Sequence, residues 1–543
     1  MKPINKGAVW MPLAIALAVV VGMVVGSRFS KPVATLDHGR KINTLLNLIS
    51  DEYVDTVKIS DLIEGAIPGL LSKLDPHTLY FTPSDLQVAN DDLNGSFSGI
   101  GVSFNISNDT VSVVEVIPGG PSEKVGILAG DRIIEVNDSA FTGKDVTDTT
   151  VRQKLRGKKG SKVKLKIKRL TTGKTLNFVV TRGDIPVNSV SASYMIDKNT
   201  GYIKVDKFGR TTYDEFLNAL VLLQSDGAIR YIVDLRGNGG GYMEMAILMV
   251  NEFLPSDRLI VFTKGRDKRN DSQVFSDGNG SFQDAEVVVL IDEYSASASE
   301  IFAGALQDND RALVMGCRSF GKGLVQREFM LPDSSGVRMT IARYYTPSGR
   351  CIQKEYNHGD AISYDMELMK RYSNGELYHK DSVRYDSSKS FSTATGRKVY
   401  GGGGIIPDVF VPRDTADITP YYAAVLNSGV LQNYAFHYSD KHREQLLALK
   451  DYKHFLRKLP SNDVILSDFV SYAEKNGVPA RWHYINKSKM LILTYLKALI
   501  ARDIYGLEAF YPIFNRNDYT IDAALKSLNR HEAAFPIETS FYE

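Results

Sequence analysis

Apolar residues change their spacing several times along this 543-residue chain, and each change marks a different kind of structure. The first is a continuous run from Ala8 to Gly26, preceded by Lys2 and Lys6 and followed by Arg28 and Lys31, about the length of a membrane span. A cleaved signal peptide is the competing reading, but its apolar stretch is usually shorter and ends in an A-x-A-like site, which Val24-Val25-Gly26-Ser27 fits poorly. The run is expected to be an uncleaved anchor, with the bulk of the chain exported. Basic residues on both sides orient it only weakly. From Leu36 to Leu74 the spacing becomes helical (Leu45, Leu46, Leu48, Ile49, then Ile63, Ile67, Leu70, Leu71) and ends at Asp75-Pro76.

Gly95 to about Arg182 changes again, to short strands divided by turn signals. Ile100 to Phe104, Thr110 to Val116 and Arg132 to Asn137 read as strands, Ser122 to Ile127 as a short helix, and Lys162 to Arg169 with Thr175 to Thr181 as a closing hairpin. Gly99, Ile100, Gly101 and Val102 form a glycine-rich loop ahead of a strand. Successive N–H groups in such a loop can hold a terminal carboxylate while the strand edge pairs with a peptide. The plainer reading is a tight turn.

Ser189 to Phe208 gives two strand-like runs, Tyr213 to Leu223 an amphipathic helix, and Tyr231 to Leu235 a buried strand. The turn Arg236-Gly237-Asn238-Gly239-Gly240-Gly241 and a helix from Met243 follow. Val287 to Ile291 is continuously apolar and β-branched, as in a strand buried on both faces. The cluster Ser295 to Ser299 ends it, Glu300, Ile301, Phe302, Ala305 and Leu306 continue at helical spacing, and Ala312 to Met315 is another strand. This alternation predicts an α/β domain with a largely parallel sheet. Phe329 to Leu331 and Val337 to Tyr345 flank a hairpin turn. Glu355 to Lys398 is rich in Tyr, Ser and charge with weak periodicity, and reads as an insertion or mobile loop. Asp414 to Glu543 is helical by pattern and suggests packing or assembly.

Composition narrows the function classes. The chain is 43% hydrophobic and 24% charged, hence globular, and too long for one core. A net charge of +2 leaves no footprint for nucleic acid. The basic cluster from Arg156 to Lys168 reads as the solvated face of a hairpin. Cys317 and Cys351 are too few for a disulfide framework or a zinc site, and could pair or stay as thiols. Nine histidines show no metal-binding spacing. No metal or other cofactor is expected.

The chemistry centres on Val287 to Gln326. A serine at the strand-to-helix corner, Ser297, can hold its hydroxyl out at the carboxyl end of the sheet. The next N–H, that of Ala298, then opens the helix as an unpaired donor. No histidine lies in the neighbouring motifs. Lys322, between Gly321 and Gly323 and among Phe320, Leu324 and Val325, can act as a base if an apolar setting keeps it neutral. Gln326 is placed to hold its side chain, and the Gly239 to Gly241 turn can supply a second oxyanion donor. The blander readings are a helix cap for the serine and a solvated lysine. Gly316 to Lys322 also fits G-x-x-x-x-G-K, the start of a phosphate loop. But Gly323 stands where Ser or Thr must hold magnesium, and Leu324 to Phe329 reads as strand, so nucleotide binding is excluded.

Several strings together resemble the C-terminal processing peptidases, or tail-specific proteases. G-I-G-V, P-G-G-P-S-E-K-V-G-I-L-A-G-D-R-I-I-E-V-N and L-R-G-K-K-G are similar to a PDZ domain. D-L-R-G-N-G-G-G, S-A-S-A-S-E-I-F-A-G-A-L-Q-D, S-F-G-K-G-L-V-Q, Y-Y-T-P-S-G-R-C-I-Q and G-I-I-P-D-V are similar to the protease core. The resemblance covers about Leu36 to Pro412. It implies a multidomain α/β protein: a PDZ domain plus a crotonase/Clp-like catalytic core, with N- and C-terminal helical segments. It implies Ser297 as nucleophile, Lys322 as general base, Gln326 as its positioner, Gly240 and Ala298 as oxyanion donors, and Arg156 as a residue coupling tail binding to activation. Gly239 departs from the Pro or Ser often found in that turn. The expected boundaries are 1–32 anchor or signal, 33–84 helical segment, 85–183 PDZ, 184–413 core with insertion 355–398, and 414–543 helical extension. The expected activity is a serine endopeptidase acting on proteins with accessible apolar C-terminal tails, at the periplasmic face of an inner membrane, possible as a homo-oligomer. The alternative is an inactive tail-binding scaffold.

Overall fold

A computed structural model describes residues 16–17, 20–21, 36–107, 109–170 and 172–533. Most of the expected anchor lies outside these residues. Among the described residues no helix is long and apolar enough to cross a membrane.

The chain divides after Leu71 into two units. In the first, Leu36–Glu52 and Ile59–Leu71 are the two helices that the spacing predicts. Their apolar residues Ile42, Leu45, Leu48, Ile63 and Leu70 are exposed.

The second unit is built on a six-stranded sheet in the order Val190–Met195, Thr200–Val205, Arg230–Asp234, Glu286–Ile291, Leu313–Gly316, Val409–Phe410. The first pair is antiparallel and the others are parallel, as helical crossovers require. The β-branched runs are buried on both faces for a definite reason. Val233, Val287 and Val289 pack with Phe216, Met249 and Phe302 of the crossover helices. Ile232, Val288 and Leu290 pack with Ile521, Ala524 and Leu528 of the helix Tyr519–Asn529.

The helical C-terminal segment thus packs in two parts. Pro420–Asn427 to Lys489–Tyr505 form a bundle with its own core, including Phe455, Phe469, Ile492 and Leu496. Tyr519–Asn529 instead belongs to the sheet. Its N-cap, Asp518, also pairs with Arg236 at 2.9 Å, next to the glycine turn.

The sheet of the segment that resembles a PDZ domain runs Val102–Ser107, Thr110–Val116, Arg132–Val136, Lys162–Arg169, Lys174–Thr181, with Ser139–Ala140 beside the third strand. It encloses Val111, Val113, Ile133, Val163 and Val151. Val151 comes from the helix Asp148–Leu155. The strands Ser96–Gly99 and Gly183–Pro186 pair as its two-stranded stalk. The PDZ domain also meets the C-terminal bundle, through Arg132 and Asp440 at 2.8 Å.

A second sheet centres on Gly336–Tyr345, which pairs with Leu79–Phe81, Leu324–Met330 and Leu259–Gly265. The strands Leu259–Gly265 and Ser272–Phe275 and the helix Pro83–Leu93 have no counterpart among the expected elements. That helix is mostly polar and straddles the expected 84/85 boundary; Thr82 caps it and Pro83 starts it. Residues 355–398 are no open loop. They hold the helix Ala361–Ser373 and the strand Ser390–Ser392, which pairs with Lys398–Tyr400 at their end. Both cysteines are free thiols.

If the last helix is a layer of the core, Ile521→Ala and Leu528→Ala should each cost about 2–5 kcal/mol in urea unfolding. A loss below about 0.5 kcal/mol, the scale of a surface change, would contradict that placement.

Candidate active site

Two turns meet where the parallel strands Arg230–Asp234 and Glu286–Ile291 end. Ala296 N–H donates to the Asn238 carbonyl at 3.0 Å, and Ser295 Oγ to the Leu235 carbonyl at 2.8 Å. Gly237 N–H reaches Asp292 Oδ1 at 2.9 Å. This stitching forces the backbone of Ser297 to φ +57°, ψ −114°, a conformation that costs about 1–3 kcal/mol for a residue with a Cβ. Gly240, at φ +101°, lies directly against it. A Cβ there would stand 2.7 Å from both Ala296 O and Ser297 Cβ. Only glycine fits.

The two expected oxyanion donors differ in this structure. Ser299 N–H bonds the Ala296 carbonyl, and Glu300 and Ile301 N–H bond that of Ser297. That leaves the Ala298 N–H as the donor not used within the helix start. Gly240 N–H instead donates to Asn238 Oδ1 at 2.8 Å, while Asn238 Nδ2 donates to the Val205 carbonyl at 2.9 Å.

Glu300, fully buried on the first turn of the helix Ala298–Asp308, ties the serine corner to the lysine loop. Its Oε2 accepts from Ser297 N–H at 2.9 Å and Lys322 N–H at 2.8 Å. Its Oε1 accepts from Ser319 Oγ at 2.5 Å and Gly321 N–H at 2.7 Å. The buried Tyr344 hydroxyl lies between two carbonyls, 2.5 Å from that of Lys322 and 3.0 Å from that of Ser297, and shares its single proton between them. The two residues are held by their main chains, so their side chains are free to face one cleft.

That cleft has a volume of about 550 Å³ and is lined by Ser297, Lys322, Gln326, Gly240 and Tyr242, with Asn94 on the approach to the PDZ domain. Lys322 Nζ donates to Gln326 Oε1 at 3.0 Å; among the described residues no hydrogen bond joins Nζ to Ser297 Oγ. Burial, and then the Arg338 charge, lower the Lys322 pKa from its ordinary value, against opposing pulls from Glu300 and Asp75. Gln326 Nε2 donates in turn to the His77 carbonyl. Burial and the nearby Lys322 charge lower the His77 imidazole to about 4, so it is neutral at pH 7.

The peptide-loop residues sit apart from this cleft. Gly99 ends the stalk strand, Gly101 turns at φ +77°, and the Ile100 and Gly101 carbonyls accept from Ser122 and Ile117 N–H. Val102 opens the edge strand of the PDZ sheet. Arg156 stacks 4.0 Å over the ring of Phe97 in the stalk. Four residues that shape the site were given no role from sequence: Glu300, Asn238, Tyr344 and His77. Glu300 alone left a signal, as the fourth residue of an S-x-x-E capping pattern beginning at Ser297. Downstream of Lys322 the chain runs as the strand Leu324–Met330, as its apolar pattern predicts. Among the described residues no group of His, Cys, Asp and Glu gathers as a metal site.

Comparison with known proteins agrees with this architecture. The profile of Peptidase family S41 matches residues 199–368, and a PDZ domain profile matches 98–182. The profile of the activating protease CtpB N-terminal domain matches 26–83, and a family of unknown function (DUF8443) matches 421–506. The carboxy-terminal processing protease CtpB of Bacillus subtilis is 34% identical over 349 residues, covering 64% of this chain and 71% of that one. The carboxy-terminal-processing protease of Bartonella bacilliformis is 36% identical over 382 residues, 69% of this chain and 85% of that one. The solved photosystem II D1 C-terminal processing protease is 29% identical, with a TM-score of 0.32, over 57% of this chain and 83% of that one. Fold and matches define a serine endopeptidase carrying a PDZ domain. Within that class the chain belongs to the carboxy-terminal processing proteases of peptidase family S41.

Two outcomes test the geometry. Gly240→Ala should slow labelling of Ser297 by a fluorophosphonate about 100-fold or more, because its Cβ displaces the serine corner. Gly239→Ala, where a Cβ meets nothing within 4 Å, should stay within about threefold; equal effects would contradict the close approach. The folded His77 pKa lies below its ordinary 6.5, so its contribution to stability is complete above that value and is lost as pH falls toward 4. The loss should reach about 3 kcal/mol in urea unfolding and be absent from His77→Gln. Parallel pH profiles for the two proteins would refute it.

Proposed function

We propose that this peptidase cleaves proteins presented by their apolar, unstructured C-terminal tails, using a Ser297–Lys322 dyad and an acyl-enzyme. The supporting observation is that one carboxylate, Glu300, and one phenol, Tyr344, bind the main chains of both residues and turn them to a common cleft. In this reading the tail's carboxylate docks on the Gly99–Val102 loop and the tail pairs with the edge strand Val102–Ser107. Burial lowers the Lys322 pKa and so favours the neutral amine that can act as a base. Lys322 swings from Gln326 to Ser297 Oγ and takes its proton as the oxygen attacks a peptide carbonyl. The new oxyanion is held by the Ala298 N–H and by Gly240 N–H, which turns from Asn238 Oδ1. Lys322 returns the proton to the leaving amine, and water repeats the sequence on the ester.

A lysine hydrogen-bonded to Gln326, with no hydrogen bond to Ser297 Oγ among the described residues, fits an enzyme whose dyad closes when a tail is bound. Arg156, stacked on the stalk, is then the residue through which the PDZ domain reports occupancy. The apolar run Ala8 to Gly26 would hold the enzyme at the outer face of a membrane.

Ser297→Ala and Lys322→Ala should fold and bind an apolar-tailed protein, yet lose at least about 1,000-fold in kcat/KM. Retained cleavage in either removes the assignment. The wild-type kcat/KM should rise with pH along an acidic limb whose midpoint lies below 10.5, because the base works only when deprotonated and its pKa is lowered. A midpoint at the ordinary lysine value would contradict a dry, neutral amine.

A further inference from the structure

Residues 355–398 have no assigned part in the reaction, yet they pack against the loop that carries the lysine. Arg371 Nη1 and Nη2 donate to the carbonyls of Ser319 at 2.7 Å and Phe320 at 3.1 Å. Just before this stretch, Lys354 Nζ lies 4.1 Å from the ring centre of Phe320 and 4.0 Å from that of Tyr364, and pairs with Glu367 at 3.1 Å. Arg318 pairs with Glu376 at 2.5 Å. Each contact restrains the approach to Lys322.

From Tyr364 a chain of polar contacts runs to the amine. Tyr364, buried in the helix Ala361–Ser373, hydrogen-bonds His77 Nε2 through its hydroxyl at 2.8 Å, the two rings meeting edge to face at 5.1 Å. The His77 carbonyl accepts from Gln326 Nε2, and Gln326 Oε1 accepts from Lys322 Nζ at 3.0 Å. Asp75 pins the same loop: Oδ1 accepts from His77 N–H at 2.9 Å and from Thr340 Oγ1 at 3.1 Å, and Oδ2 from Thr78 Oγ1 at 2.6 Å. Thr340 is the residue paired with Gln326 across the strands.

This chain fixes which way the Gln326 amide points. A carbonyl at His77 can only accept, so the amide must turn its NH₂ there and its oxygen to the lysine. That oxygen can only accept as well. A neutral amine meeting it must therefore spend an N–H on the contact, and its lone pair remains for the serine hydroxyl.

We propose that His77 and Tyr364 are positioning residues for Lys322, locking the Gln326 amide in the orientation that leaves the amine lone pair free. The inference rests on the Ser297–Lys322 reading and extends it to Tyr364, 42 residues beyond the lysine in sequence. The helix Ala361–Ser373 is thereby part of the machinery.

The test uses full-length protein, a fluorescent carrier protein with an apolar tail, and fluorophosphonate titration to count active Ser297. Tyr364→Phe removes one oxygen and leaves the ring. It should lower kcat per titrated site about tenfold, with KM and the affinity for a free tail peptide within about twofold. The acidic limb of kcat/KM should move to higher pH as the loosened amine gains water. The other charged or titratable groups facing Lys322, namely Glu300, Arg338, Asp75 and His77, are unchanged by this substitution. A kcat within about twofold of wild type and a superimposable profile would overturn the proposal. Should that variant not fold, His77→Gln and His77→Leu decide instead. The glutamine keeps a polar atom for Tyr364 and should hold kcat at least about fivefold above the leucine; equal values overturn it. Cleavage by Ser297→Ala or Lys322→Ala would mark failure of the dyad itself, a different result from an inert Tyr364→Phe.

Discussion

Glu300 carries a buried carboxylate whose charge is met by four donors from the serine corner and the lysine loop. A carboxylate without solvent is costly, and short charge-assisted hydrogen bonds to both oxygens are what make it tolerable. The consequence is geometric. Neither segment can move without leaving a buried charge unmet, so the strain at Ser297 and the contact with Gly240 are sustained by the same interaction. The rest of the core supports that point: the sheet carries the corner, the helix Tyr519–Asn529 seals its far face, and Arg236 joins that helix to the glycine turn.

The same carboxylate sets a limit on the chemistry. Its negative charge favours the protonated lysine, as does Asp75, whereas burial and Arg338 favour the neutral amine, and the second pair prevails. An amine balanced in this way responds to small changes in hydration. In the proposed dyad the hydrogen bonds behind it, from Gln326 to the His77 carbonyl and from Tyr364 to the His77 ring, would bear on proton transfer.

Much of this was legible in sequence where signals were local. Val287 to Ile291 reads as a buried strand because it has no polar face, and the Ser/Ala cluster after it marks the corner. Leu324 to Phe329, being strand-like and lacking a Ser or Thr after Lys322, separates this loop from a phosphate loop. The partners that organise the site were harder to see. His77 meets Gln326 across 249 residues of chain, and no local pattern encodes that contact. Residues 355–398 lack apolar periodicity because Arg371, Tyr364 and Glu376 anchor them by polar contacts. The helix Tyr519–Asn529 was recognisable as a helix, but its destination is set by sheet residues such as Ile232, Val288 and Leu290, more than two hundred residues earlier.

The most direct measurement is the rate of fluorophosphonate labelling of Ser297 in Glu300→Gln. A glutamine has nearly the same shape but only one oxygen, so its NH₂ would confront either the Ser297 and Lys322 N–H groups, one from each segment, or Ser319 Oγ and the Gly321 N–H of the lysine loop. Labelling about 100-fold slower, in a protein whose circular dichroism and tail-peptide affinity match wild type, is the expected result. Labelling at the wild-type rate would show that the serine corner and the lysine loop hold their places without this carboxylate, and would contradict the account.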